Sequence, residues 1–193
     1  MDYRQEGHGF FWQSTPKRIA AGLRIRKSKP AREVLEEREK AMVRDYFGHR
    51  KGGVVVDVGA NEPTNAFSQS WHLESRLGWR AVLVEPNPEL AQKAQVARPK
   101  ASVFQCACCA AAMELTLFIP VNDDGREIYS HAAIGRNLDS HRYSTFREIK
   151  VPGRTLNNIL EEAGVARVDL LSIDVEGAEM EVLNGLDIDK YRP

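Results

Sequence analysis

Gly53-Val54-Val55-Val56-Asp57-Val58-Gly59-Ala60-Asn61 is the stretch whose reading decides the fold. Its valines suit a pleated strand, and a nearly continuous apolar run marks a strand covered on both faces, as in a parallel sheet. The run ends in Gly59-Ala60-Asn61, a turn whose glycine lets backbone approach a neighbour or a ligand closely. Residues 65–77 then have helical spacing, with Phe67 and Trp71 at i, i+4 and Leu73 and Leu77 likewise, and Gly78 as the stop. Arg80-Ala81-Val82-Leu83-Val84-Glu85 is a second apolar strand. Strand, helix and strand in this order form the front half of a nucleotide-binding βαβ unit.

The rhythm continues downstream. Asn87 is a good N-cap and Pro88 a good first helical residue. Leu90, Ala94 and Ala97 predict the inward stripe of that helix, and residues 101–107 predict a third strand. Repeated alternation of this kind implies a doubly wound α/β sheet. Glu114 to Ile119 alternates as a half-exposed strand does, and Asn122-Asp123-Asp124-Gly125 is a turn. Residues 126–145 read as an irregular excursion, and Phe146 to Val151 as a short strand ended by Pro152-Gly153. Thr155 caps a helix carrying Leu156, Ile159, Leu160 and Ala163, with Gly164 at its end. Val168 to Asp174 is the clearest strand after the first. A last helix is expected from Gly177 through Met180 and Leu183 to Gly185.

Upstream, residues 31–47 are expected to be helical, with Leu35, Met42 and Tyr46 on one face, Val34 and Ala41 beside them, Pro30 at the start and Gly48 at the stop. The spacing predicts a helix packed on the sheet. Phe10-Phe11-Trp12 is an apolar cluster. Lys17 to Lys29 carries Lys17, Arg18, Arg24, Arg26, Lys27 and Lys29 without an acid, either a solvated arm or a patch for an anionic acceptor or membrane surface. The division expected is an N-terminal basic and helical extension over 1–51 and a catalytic-type domain over 52–193.

With 193 residues, 42% hydrophobic and 28% charged, the chain has the composition of a globular protein with one substantial core. Its formal net charge is zero, so no global field favours nucleic acid. No apolar run reaches transmembrane length, and Met1 to Glu6 lacks the apolar core of a secretory signal. The expected compartment is the cytoplasm. Cys106, Cys108 and Cys109 are odd in number and clustered, a poor disulfide framework. A metal site would need His131 or His141 as a fourth ligand, at a spacing unlike a zinc knuckle. The cysteines therefore read as small buried residues, Cys106 and Cys108 on one face of a strand.

Ligands of open α/β sheets bind at the carboxyl ends of the strands. Asp57, Glu85 and Asp174 sit at such ends. Glu85, 28 residues after Asp57, is placed to accept hydrogen bonds from the ribose hydroxyls of an adenosine. The turn lacks Gly-x-Gly-x-x-Gly. Glu62 opposes a pyrophosphate by charge and Pro63 by lacking an N–H. A phosphate-free adenosine with a cationic centre fits better, and S-adenosylmethionine is one. An ordinary βαβ unit without a ligand fits the same turn. The pair Asp174 and Glu176, after a buried strand, can orient a hydroxyl, take its proton or hold a cation, or serve as helix N-terminal charges.

Four motifs in order, Val56-Asp57-Val58-Gly59-Ala60-Asn61, Gly78 to Pro88, Arg154-Thr155-Leu156 and Asp169 to Glu179 with Leu183-Asn184-Gly185, resemble the FkbM family of S-adenosylmethionine-dependent methyltransferases. The resemblance spans about residues 52–193. It implies a class I methyltransferase (Rossmann-like) fold and methylation of a hydroxyl oxygen on a sugar, polyketide or related small molecule. It also implies roles. Asp57, Gly59 and Asn61, with Ala60 in the same turn, line the methionine side of the cofactor, and Glu85 binds its ribose. Cys106 and Ala107 contact adenine through backbone. Asp174 lies beside the reacting methyl and Glu176 near the acceptor. No metal is assigned. Relatives continue with further strands, so the sheet is expected to stop after its fourth core strand and leave an edge open to self-association. Two alternatives stand beside this reading. A nicotinamide-dependent oxidoreductase is opposed by the missing glycines, and a truncated, non-catalytic protein of the same fold would bind cofactor or a partner without turnover.

Overall fold

The computed structural model describes residues 38, 41–43, 45–47, 49–65, 68–135 and 143–191. The cluster at residues 10–12, the basic stretch 17–29, Val34, Leu35, Phe67 and His141 lie outside them.

Two sheets make the framework. The first contains β1 (Val54–Val58), β2 (Arg80–Val84), β3 (Ser102–Phe104) and the later strand β8 (Leu170–Ile173), in the order β3-β2-β1-β8 and parallel throughout. Side-chain alternation sends Val56, Val58, Val82, Val84, Leu171 and Ile173 to one face and Val55, Ala81, Leu83 and Leu170 to the other. Both faces are covered, which is why these strands read as continuous apolar runs. Helices α1 (Gln69–Leu77) and α2 (Pro88–Ala97) bring Leu73 and Ala94 to the second face. On the first face, α3 (Leu156–Glu162) supplies Leu156, Ile159 and Leu160, α4 (Glu179–Asn184) supplies Val182, and α5 (Ile188–Tyr191) supplies Tyr191. Among the described residues, β8 pairs on one side only, with β1.

Local signals fix several ends. The side chain of Asn87 accepts from the Glu89 N–H at 2.9 Å, with Pro88 first in the helix. Thr155 accepts from Asn158 N–H at 3.2 Å. Ser68 caps α1, accepting from Trp71 N–H at 3.1 Å, so that helix begins four residues later than its apolar spacing suggests. At the opposite edge of the first sheet from the ligand-facing strand ends, Asp169 accepts from Val54 N–H at 2.9 Å and pairs with Arg50 at 2.7 Å.

The second sheet, β4-β7-β5-β6, corrects the reading of the middle of the chain. The expected third strand over 101–107 breaks after Phe104, and β4 (Ala107–Cys108) crosses to the second sheet. Cys106 thus sits in the kink rather than sharing a strand face with Cys108, although both are buried in one core. β5 (Met113–Val121) is the half-exposed strand, longer than predicted, with Leu117 and Ile119 inward. The Asn122 to Gly125 turn forms, with Gly125 at φ +77°. The excursion after it contains a 3-10 turn (Tyr129–His131) and β6 (Ala133–Ile134). β7 (Thr145–Arg154) runs through Pro152-Gly153 instead of stopping there. β4 joins β7 only from Gly153 onward, and proline is tolerated where it removes no ladder hydrogen bond.

Other expectations also shift. Residues 41–43 and 45–46 are helical, but Val43 is buried and Phe47 packs edge-on to Trp79 at 4.9 Å, whereas Met42 and Tyr46 are exposed. Two apolar stripes were available one residue apart, and the ring contact with Trp79 selects the other. Ala97 is exposed, and Ala91 takes its place in the buried stripe of α2. The last predicted helix begins at Glu179 rather than Gly177, whose φ of +113° is not helical, and Met180 is exposed. No helix among the described residues is long and apolar enough to cross a membrane.

Candidate functional site

A cavity of about 100 Å³ lies where the carboxyl ends of β1, β2 and β8 face the second sheet. Of the residues predicted for the site, Gly59, Asn61, Glu85, Cys106, Ala107, Asp174 and Glu176 line it. Asp57 and Ala60 do not. The Asp57 carboxylate turns toward α1 and accepts from the Ser70 hydroxyl, and Ala60 is buried in the core beneath the turn.

The turn after β1 is held from within. Gly59 N–H and Ala60 N–H both donate to Val84 carbonyl, at 2.9 and 3.2 Å. Asn61 N–H donates to Glu85 Oε2 at 2.8 Å, and Glu62 N–H to the Asn61 side chain at 2.8 Å. Pro63 has no N–H to give. Gly59 adopts φ +86°, and a Cβ there would overlap the carbonyl oxygen of Asp174. Only glycine lets the β1 and β8 turns approach this closely. Asn61 occupies the left-handed region at φ +53°, where asparagine is among the better tolerated residues.

Glu85 joins two turns. Besides Asn61, it receives Asn87 N–H on Oε1 at 2.8 Å. Burial pushes its carboxyl up to about 7 against the pull of these two bonds, with the Asp57 charge adding to the rise. Each carboxylate oxygen has a further lone pair, so Glu85 can accept from ligand hydroxyls as well.

The turn after β8 is open by contrast. Asp174 N–H donates to Val58 carbonyl at 2.9 Å, and its side chain is exposed. Glu176 is half-buried at φ +55°. α4 begins only at Glu179, and its N-cap residue Ala178 makes no side-chain cap bond. Both acids line the cavity wall.

Cys106 and Cys108 line the cavity as thiols. Burial pushes Cys106 up to about 11 and holds Cys108 well above the usual thiol range, so neither is a thiolate at neutral pH. Among the described residues no cluster of His, Cys, Asp and Glu is arranged to hold a metal ion.

The far wall is formed by Leu117, Tyr129, Ser130 and Ala132 to Ile134, none of which the sequence singled out as a site residue, although residues 121–145 were expected to shape the acceptor side. The alternation of β5 announced that Leu117 points inward, but nothing in the local pattern marked Tyr129. Its hydroxyl donates to Glu89 Oε2 at 2.8 Å, which pushes the phenol up to about 12. Arg147 of β7 meets the other Glu89 oxygen at 3.1 Å and Glu127 at 3.0 Å. The second sheet is thereby tied to the first turn of α2, beside the cavity.

Comparisons with known proteins agree with this architecture. The family model described as the methyltransferase FkbM domain matches residues 57–193. A protein named methyltransferase sdnD, from Sordaria araneosa, is 32% identical over 77 aligned residues. That match spans 35% of this chain and 30% of the relative's own length. No solved structure matches. A family model that begins at the last polar residue of β1 and runs through both sheets covers every wall of the cavity, and the chain belongs to the FkbM methyltransferase family.

Proposed function

We propose that this chain is an S-adenosylmethionine-dependent methyltransferase that methylates a hydroxyl of a sugar, polyketide or related small molecule. The observation that carries the cofactor reading is the state of the β1 turn. Every backbone N–H from Gly59 to Glu62 already has an acceptor within the protein. A pyrophosphate needs such donors free. These four N–H groups therefore offer no cradle to a nicotinamide dinucleotide, which weighs against an oxidoreductase. The site does suit a phosphate-free adenosine, because Glu85 offers acceptor oxygens to hydroxyls at the end of β2.

Gly59 and Asn61 would lie along the methionine part, with Asp57 holding the turn from behind. Glu85 would accept from the ribose, and Cys106 and Ala107 would flank the base. When bound, S-adenosylmethionine supplies a sulfonium-activated methyl group. Asp174, exposed at the cavity mouth, would orient the acceptor hydroxyl and take its proton, with Glu176 beside it. Tyr129, Ser130 and Ile134 would bound the acceptor side. The family membership supports methyl transfer, and the predominantly small and apolar far wall supports a neutral organic acceptor.

Titration calorimetry with S-adenosylhomocysteine tests this reading. Micromolar binding that disappears in Glu85→Ala is the expected result. Binding of NAD in its place would overturn it.

A further inference from the structure

A second set of polar side chains lies behind the turn, outside the cavity. Arg98 follows α2 and its side chain is fully buried. Its Nε donates to Glu74 Oε2 on α1 at 2.7 Å, with Nη2 at 2.6 Å from the same oxygen. Its Nη1 donates to the Ser70 hydroxyl at 3.0 Å and reaches the Pro63 carbonyl at 3.4 Å. The guanidinium lies 5.6 Å from the centroid of the Trp71 ring. Ser70, itself fully buried, donates a hydrogen bond from its hydroxyl to Asp57 Oδ2.

A buried ion pair contributes little net stability compared with apolar residues of the same volume. The arrangement is better explained by what it fixes. Its contacts converge on both ends of one segment. Asp57, reached through Ser70, begins that segment, and Pro63 ends it. Between them lie Gly59 and Asn61, which face the cavity. We propose that Arg98 is a positioning residue for this turn, holding both of its ends from behind and so setting cofactor affinity without touching the cavity. This rests on the methyltransferase reading above. The planar fork of an arginine can serve Glu74, Ser70 and Pro63 together, whereas a lysine offers a single point of charge.

The test uses the full chain and four forms: wild type, Arg98→Lys, Ser70→Ala, and Leu160→Ala as a control. Leu160 is fully buried on the opposite face of the first sheet. Two readouts are taken, amide hydrogen exchange at residues 59–62 and affinity for S-adenosylhomocysteine. Arg98→Lys is expected to speed exchange of the turn at least tenfold and to weaken the ligand at least tenfold. Ser70→Ala, which removes the link to Asp57 and the Ser68 contact but leaves Arg98 bound to Glu74 and Pro63, should move both in the same direction by less. Leu160→Ala should lower the melting temperature while leaving both readouts as in wild type. Unchanged turn exchange in Arg98→Lys overturns the proposal, as does faster exchange with unchanged affinity. Equal effects from Leu160→Ala also overturn it, since global destabilisation would then account for them. A wild type that does not bind S-adenosylhomocysteine defeats the methyltransferase reading, and the exchange measurements still decide whether Arg98 positions the turn.

Discussion

The turn after β1 engages its backbone donors internally and keeps Asp57 behind it, whereas the turn after β8 exposes Asp174 and carries Glu176 on the cavity wall. The two approach each other closely at Gly59 and Asp174, and both line one cavity. The first is a rigid surface whose shape is set by glycine, by Glu85 and by the Arg98 network. The second presents charge on the loop that leads into α4. In the proposed reaction the first turn would bind through shape and the second would react through charge.

Breaking the contact between the turns should have the largest effect. Gly59→Ala puts a Cβ into the Asp174 carbonyl at a φ of +86° that alanine avoids. A loss of about 4 kcal/mol or more is expected, among the severe classes of single substitution, with ligand binding lost. Chemical denaturation measures it, and near-wild-type stability would mean that the β8 turn can withdraw freely.

Glu85→Ala comes next. It strands two backbone N–H groups that now meet a carboxylate, at about 1.5–3 kcal/mol for each charge-assisted bond. Part of that loss is offset because the carboxylate itself is buried. The pH dependence follows from the same group. Its folded-state value of about 7 lies above its ordinary 4.5, so between these pH values the folded protein holds a proton that the unfolded chain has released. Stability from Glu85 is therefore full below pH 4.5 and falls by about 3 kcal/mol as pH rises to 7. Asp57, also raised by burial, adds in the same direction. Denaturation midpoints should decline from pH 5 to pH 7.5 in the wild type, and the decline should flatten in Glu85→Ala. A midpoint that rises over this range would contradict the burial argument.

The smallest stability effect belongs to the β8 turn. Asp174→Asn changes an exposed side chain and should cost less than about 1 kcal/mol. Methyl transfer should nevertheless fall by about 100-fold or more, the usual scale of a lost general base. Parallel loss of stability and activity would assign Asp174 a structural role and erase the contrast between the two turns.

The parallel sheet was legible because its strands are buried on both faces, which favours apolar residues at most positions. Ser68, Asn87 and Thr155 acted through their own local hydrogen bonds, and two of these caps could be read directly. Four of the expected cofactor positions besides Glu85, namely Gly59, Asn61, Cys106 and Ala107, line the cavity because strand ends are fixed by strand lengths. The direction of Asp57 was not legible. Its partner Ser70 is 13 residues away, and Arg98 a further 28. The second sheet was hidden for a related reason. β7 reaches β4 and β5 across long loops, and Pro152-Gly153 imitates a strand end.

What the sequence by itself determined is the periodicity: a buried parallel α/β layer, its caps, and acids at the carboxyl ends of β1, β2 and β8. These depend on residues within a turn or a strand of one another. What only the tertiary structure decided is the orientation of those acids, the far wall with Tyr129, and the buried path from Arg98 to Asp57. Such features arise from contacts between distant segments, and no local pattern encodes which of two available faces or partners packing will select.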